Sequence, residues 1–186
     1  MQTPITEMFG IEFPILAFTH CRDVVAAVSK AGGLGVLGAV GHSDSGLETD
    51  LAWIEAEIGD RPYGVDLIVP ARYAGSEEGG LDVADLVAAI PGAHQEFLDE
   101  LMERYQVPED PDAAGWAIRT GEAPFSANRA IQQLDITLDH RPSLVANALG
   151  PPPSEMVQRW REAGVKVAAL AGSRVHAERH VAAGAG

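Results

Sequence analysis

The chain has 186 residues with a single cysteine, 13 Lys and Arg against 27 Asp and Glu, and a formal net charge of -14. A surface this acidic repels phosphate backbones and anionic lipid, which sets nucleic acid and membrane surfaces aside as partners. A lone thiol, Cys21, forms no internal disulfide, and the opening MQTPITEMFGIEFP has neither a basic stretch nor a long apolar run, so the expectation is one domain in a reducing, cytoplasmic compartment, without leader or membrane span.

Taken in order, FPILAF at 13–18 is a short apolar run that suits a buried strand. RDVVAAVSKA at 22–31 places Val24, Val25, Val28 and Ala31 near one helical face. GGLGVLGA at 32–39 is short, apolar and glycine-rich, a strand packed closely against its neighbours. A helix follows, capped by Ser43 or Ser45, with Leu47, Leu51, Ile54 and Ile58 apolar and Gly59 where a C-cap belongs. YGVDLIVP at 63–70 is a third strand, stopped by Pro70. From 71 to 125 the pattern changes. Two amphipathic segments, LDVADLVAAI and AHQEFLDELMERYQV, sit among polar, turn-rich stretches and read as a helical insertion within the same domain, too poor in apolar residues for its own core. The alternation then resumes: helix ANRAIQQLDIT, strand PSLVANALG, helix SEMVQRWREAG, strand VKVAALAGS, helix RVHAERHVAAG.

Strands separated by helices imply a parallel sheet, and near-continuously apolar strands imply both faces covered. Ala31-Gly32, Ala163-Gly164 and Ala183-Gly184 each stand where a helix ends and a strand begins, and glycine supplies the left-handed conformation for that turn. Five strands are therefore expected, with Ala183-Gly184 announcing a sixth. A closed (β/α)8 barrel needs eight strands and about 250 residues. An open doubly wound sheet of the flavodoxin type accommodates five. Strand count leaves both open.

Residues 33–38 spell G-x-G-x-x-G, but these glycines follow a helix and lie within a strand, whereas a dinucleotide fingerprint follows a strand and opens a helix. His176 and His180 stand four apart in HAERH, a spacing that can place two imidazoles on one helix face for zinc; the metalloprotease order is broken by Ala177, and a solvated helix is the plainer reading. FTHCRD at 18–23 sits at the C-terminal end of the first strand, where α/β sheets bind ligands. There His20 and Cys21 are adjacent, but a catalytic pair also needs a third, orienting group. Asp66 interrupts the third strand and must be paired, hydrogen-bonded or turned to a ligand. NALGPPPS and AGSR put further small and polar residues at the same end, so four strand ends converge on one candidate site.

FPILAFTHCRDVVAAVSKAGGLGVLGAV, YGVDLIVPARY, LVANALGPPP and AGVKVAALAGSRVHAERHVAAGA together resemble the nitronate monooxygenase, or 2-nitropropane dioxygenase-like, family. The resemblance implies an FMN-dependent TIM barrel, here an incomplete one of about five βα units, that oxidises alkyl nitronates with dioxygen. It also implies a Gly-rich E-A-G-G-H segment with the catalytic histidine, and loops for the FMN phosphate, beyond Gly186; no catalytic residue is therefore assigned within the chain. By position, Phe18, Thr19 and His20 would lie against the flavin, where the family commonly has Ala-Pro-Met. Asp66 stands where the family usually has Asn, and Asn147 and Gly172 are at matching strand ends. Ionised Asp accepts hydrogen bonds but donates none. Two alternatives accompany this reading: an NAD(P)H-dependent flavin oxidoreductase of the quinone or enoyl type, and a non-catalytic barrel fragment whose bare edge strands favour homo-oligomers.

Overall fold

The computed structural model describes residues 2–69, 83–108 and 127–186; Pro70 and most of the turn-rich PEDPDAAG and RTGEAPFSAN stretches expected within the 71–125 insertion lie outside them. Helix α1 (Pro4–Phe9) opens the chain, followed by β1 (Leu16–Thr19), α2 (Arg22–Lys30), β2 (Leu34–Gly38), α3 (Asp44–Ile58) and β3 (Tyr63–Leu67). Then come α4 (Val83–Ala88), α5 (Gly92–Arg104), α6 (Ala127–His140), β4 (Leu144–Asn147), α7 (Ser154–Glu162), β5 (Lys166–Ala169) and α8 (Arg174–Ala182). Residues 1–72 with 130–186 form one compact unit and 73–129 a second. In the second, α5 buries none of its residues. No helix among the described residues is long and apolar enough to cross a membrane.

Two expectations change at the N-terminus. Helix α1 went unread, although Thr3 and Thr6 form a reciprocal capping box around Pro4 at the first helical position. The first strand starts at Leu16 rather than residue 13, because Glu12 and Phe13 both donate their N–H groups to the Gly32 carbonyl at 2.8 and 2.9 Å. This ties the segment before β1 to the end of α2. Downstream, Ser43 and not Ser45 caps α3, its hydroxyl accepting from the Gly46 N–H.

All strands run parallel in the order β1-β2-β3-β4-β5. That order decides between the two architectures. A doubly wound sheet reverses its strand order to place helices on both faces; an unbroken sequential order keeps successive crossovers on one side, because they share one hand. The core agrees. Leu37, Val65, Val145 and Val167 are register partners across four strands and pack with Val25 of α2, Leu47, Leu51, Ile54 and Ile58 of α3, Leu134 of α6, and Val157 and Trp160 of α7. The intervening positions face away from these helices: Leu34, Val36 and Leu144 cluster instead with Ile11 and Phe9. This is the wall of a (β/α)8 barrel, incomplete at five strands, with the second cluster on its inner face. The last residues run along the far edge of β5, where the Gly186 N–H donates to the Val167 carbonyl at 2.9 Å.

Three of the helix ends follow the Ala-Gly repeat. Gly32, Gly164 and Gly184 have φ of 90°, 78° and 103°. In each turn the glycine N–H bonds back three residues, to Ser29, Arg161 and Val181, and the next N–H bonds back five, to Val28, Trp160 and His180. These paired bonds satisfy carbonyls that a helix end leaves open. At Gly35 the constraint is different. A Cβ there would lie 2.4 Å from the Val25 carbonyl oxygen, so only glycine lets α2 settle directly onto β2. Buried Ser29 secures the contact by accepting from the Gly35 N–H at 3.2 Å and donating to the Pro62 carbonyl at 2.9 Å.

A second polar clasp joins α3, α6 and β3. His140 contacts Glu55 through Nδ1 at 3.0 Å and Glu48 through Nε2 at 3.2 Å, while the Tyr63 hydroxyl donates to the other Glu55 oxygen at 3.0 Å. Burial pulls the His140 pKa down, but the hydrogen bonds and charges of Glu55 and Glu48 outweigh it, and the net shift is upward.

Two outcomes follow. Gly35→Ala forces the α2 backbone off β2 and should cost at least about 3 kcal/mol, the upper range for an overpacked core; a chemical denaturation midpoint within error of wild type would refute the close approach. For His140 a raised folded-state pKa stabilises at pH below the unfolded value near 6.5, and the stabilisation is lost as pH rises through the folded value. His140→Gln should therefore narrow the stability gap between mildly acidic and alkaline buffer, read from urea unfolding at each pH; an unchanged gap would show that the clasp carries no proton linkage.

Candidate functional site

The register sets one row of residues at the C-terminal end of the inner face: Gly38, Asp66, Ala146 and Ala168 are successive partners on β2 to β5. Three of the four are small. The row is extended by His20, which leaves the end of β1 and folds back over β2. Its ring occupies the space a side chain at Gly38 would need, with Cε1 and Nδ1 at 2.6 and 2.7 Å from a built Cβ and Phe18 Cζ at 2.8 Å. Gly35 and Gly38 thus serve opposite faces: the first admits a helix and the second admits an imidazole.

His20 Nδ1 lies 3.1 Å from the Gly38 carbonyl oxygen. A carbonyl only accepts, so Nδ1 carries the hydrogen, and Nε2 is left for solvent or a ligand. Phe18 meets the same ring edge-on, centroids 5.1 Å apart at 81°, and is itself 57% exposed. An aromatic ring that bare at a strand end offers an apolar wall.

Asp66 sits one strand over, buried, with Oδ1 lacking a hydrogen-bond partner among the described residues. Neighbouring strands lie about 4.8 Å apart, so the carboxyl and the His20 ring above Gly38 are adjacent across β2 and β3. Burial pushes the Asp66 carboxyl up to about 6, and the nearby His20 opposes that shift. A buried carboxylate oxygen without a donor is costly for the fold alone and fits an acceptor kept for a ligand N–H.

The other expected contacts stand apart from this cluster. Thr19 Oγ1 accepts from the Cys21 N–H at 3.1 Å, holding the turn into α2. Asn147 is fully buried; its Oδ1 accepts from Val69 N at 2.9 Å, and its Nδ2 donates to the carbonyls of Val69 at 3.2 Å and Gly150 at 2.9 Å. The expectation of a ligand contact there meets an amide already committed to bracing the loops after β3 and β4. Gly172 is exposed in the turn before α8. In HAERH, His180 is buried with Nε2 at 3.0 Å from the Leu170 carbonyl, whereas His176 is exposed, so only part of that helix is solvated.

One constellation was not read from the sequence. His42, just after β2, contacts Asp50 through Nε2 at 3.2 Å, and Arg22 reaches the other Asp50 oxygen at 2.9 Å while lying 4.7 Å over the Trp53 ring. Gln133 of α6 donates to the Ala39 carbonyl at 3.0 Å beside it. These groups pin the loop leaving β2. A polar residue directly beyond a strand end was the available signal; its partner eight residues along a helix was not visible as a pair.

The description "nitronate monooxygenase" belongs to the family model that matches residues 2–186. A Mycobacterium tuberculosis protein named as a monooxygenase is 48% identical over 184 residues, which are 99% of this chain and 49% of that protein. A Staphylococcus saprophyticus protein named as a nitronate monooxygenase is 36% identical over 75 residues, 38% of this chain and 21% of that one. Among solved structures, the nitroalkane oxidase of Streptomyces ansochromogenes superposes with a TM-score of 0.68 at 23% identity, covering 98% of this chain and 46% of the oxidase. The chain thus spans about half the length of the M. tuberculosis relative and of the oxidase.

The Asn147 brace is open to test. Asn147→Asp keeps the acceptor for Val69 N–H and loses both donors, stranding two carbonyls. The expected loss is about 2 kcal/mol, as for buried polar groups left without partners, visible as a melting temperature several degrees lower; an unchanged melting temperature would show that the loops are held otherwise.

Proposed function

The chain belongs to the nitronate monooxygenase family, and from that premise we propose that its inner-face row serves an FMN-dependent oxidation of alkyl nitronates by dioxygen. The observation that supports this is the unpartnered Asp66 oxygen beside His20, on a row otherwise built of Gly38, Ala146 and Ala168. Small side chains leave room for a flat ring at the strand ends, and the orphan oxygen is an acceptor for a ring N–H. These residues fit the flavin the family implies. When bound, FMN supplies the electron acceptor and the route to dioxygen.

The chain's own residues have separable roles in this reading. Phe18 is the apolar wall that keeps water from one side of the ring. Asp66 accepts from the ring's N–H edge. His20 offers Nε2 toward the ligand and, when protonated, supports negative charge on a nitronate or on the reduced ring. Thr19 holds the turn that aims His20. Asn147 fixes two of the loops that frame the opening, and Gly172 lets a ligand approach backbone on the β5 side.

The test is direct titration of the purified 186-residue chain with FMN, followed by flavin fluorescence, then oxygen uptake on adding an alkyl nitronate. Saturable quenching is expected of this chain, and nitronate-dependent uptake of a chain that also carries the E-A-G-G-H segment the resemblance implies. Asp66→Ala should weaken FMN binding about tenfold, equivalent to about 1.4 kcal/mol. Absence of saturable quenching would remove the flavin reading for this chain and leave a barrel fragment. Rapid anaerobic reduction of bound flavin by NADH, without nitronate turnover, would move the activity to the flavin reductases.

A further inference from the structure

The five βα units bury their own helix-side core, but the two edges of the sheet are left open among the described residues. Large apolar side chains stand bare beside both: Ile15, Leu16 and Phe18 at β1, and Leu170, Val175 and Val181 on the β5 and α8 side. Along β5 the surface opens into an apolar groove of about 320 Å3, lined by Val167 and Ala169 of β5, Ala177 and Val181 of α8, and Met8 of α1.

His180 lines the same groove and is 6% exposed. Its Nε2 lies 3.0 Å from the Leu170 carbonyl, which only accepts, so Nε2 carries the hydrogen and the Nδ1 of a neutral ring is an acceptor. That Nδ1 is buried and has no donor among the described residues. A buried acceptor left open is costly and fits a donor that arrives with something else.

The backbone of β5 shows what kind of group arrives. The N–H groups of Lys166 and Leu170 donate to the Ser143 and Asn147 carbonyls on the β4 side, whereas the Val167 carbonyl turns outward and accepts from the Gly186 N–H at 2.9 Å. By the same alternation Ala169 presents its N–H and carbonyl outward. The approach of residues 184–186 is fixed, because the Gly184 carbonyl accepts from Arg161 at 2.8 Å and Ala185 is buried. The groove is thus the side of a ladder already begun at one rung. The M. tuberculosis relative and the oxidase carry about as much chain again, since the matched parts are 49% and 46% of them. With five strands in place, a (β/α)8 ring needs three more. A second copy would bring five strands instead, and a further charge of -14.

We propose that the β5 groove and the β1 edge together dock a separate polypeptide of three βα units. Its first strand extends the β5 ladder in parallel and brings the donor for His180 Nδ1; its last strand pairs with β1. The docking rests on the open edges and is independent of the flavin reading.

The test co-expresses the tagged 186-residue chain with the part of the M. tuberculosis relative that follows the matched 184 residues. Affinity capture and light scattering should recover a one-to-one complex. Amide exchange at Val167 and Ala169 should slow about tenfold or more in that complex. Recovery of the chain alone, or paired only with itself, would overturn the proposal whether or not the complement is soluble. A complex in which exchange at Val167 and Ala169 is unchanged would place the partner elsewhere and overturn it too. Ala169→Pro supplies a second arm, because proline is tolerated on an edge strand and removes the outward N–H. The variant chain should keep its own melting temperature and bind the complement about tenfold more weakly, equivalent to about 1.4 kcal/mol. Wild-type binding by this variant would refute the ladder. If Ala169→Pro lowers the melting temperature of the chain itself, Val181→Glu replaces it with the same expected loss, at a groove position that is 69% exposed.

Discussion

A left-handed glycine after a helix is the constraint on which the rest of this structure depends. A helix that ends on the outer side of a sheet must reverse within a few residues to begin a parallel strand, and it must do so without stranding its last carbonyls. Gly32, Gly164 and Gly184 meet both demands with the same pair of backward hydrogen bonds. β2 and β5 are entered in this way, whereas the chain leaves α3 through Gly59 and α6 through Arg141, with φ of 61° and 48°. In each case a positive-φ residue turns the chain back into a parallel strand, and the sequential order puts the helices on one side of the sheet.

Division of labour between the two faces is then a matter of alternation. Successive side chains of a strand point to opposite sides, so β2 can meet the helices at Gly35 and Leu37 and the inner row at Gly38 within four residues. β3 repeats this with Val65 in the helix-side core and Asp66 on the inner row. The polar residues that the fold needs lie on the helix side, where Ser29, Gln133, His140 and Asn147 all have partners among backbone or carboxylates. Asp66 Oδ1, on the inner row, has no partner among the described residues, and neither has Trp160 Nε1 in the helix-side core.

Much of the wall was legible in the sequence because it rests on local rules. The Ala-Gly repeats, the apolar runs of β2 to β5 and the heptad-like face of α3 fix element type without knowledge of neighbours. Sheet order was not legible, since a count of five strands suits two architectures and only pairing distinguishes them. The position of His20 at a strand end was legible; Phe18 and Thr19 entered through the family resemblance, and Asp66 read equally as a structural ion pair or a ligand contact. What sequence could not supply was the seat. That Gly38 makes room for an imidazole from the preceding strand, and that Asn147 is consumed largely by Val69, are contacts between residues 18 and 78 positions apart. Helix α1 was missed for a different reason: its capping signal, Thr3-Pro4, was present but six residues carry little periodicity.

Sequential pairing also shapes how the chain reaches this state. Every strand docks on the one made just before it, so the sheet can grow in the direction of synthesis, each new unit finding its template already formed. Most of these closures span short stretches of chain and are entropically cheap. The step from β3 to β4 is the exception, because residues 68–143 must be looped out before Gly64 and Leu144 can meet. Loop closure grows only slowly with length, as the logarithm, so a long excursion is tolerated there, yet it makes this docking the slow one. Until it happens, the outer edge of β3 is a row of unpaired amides, and the nascent wall is most open to pairing with another chain at that point.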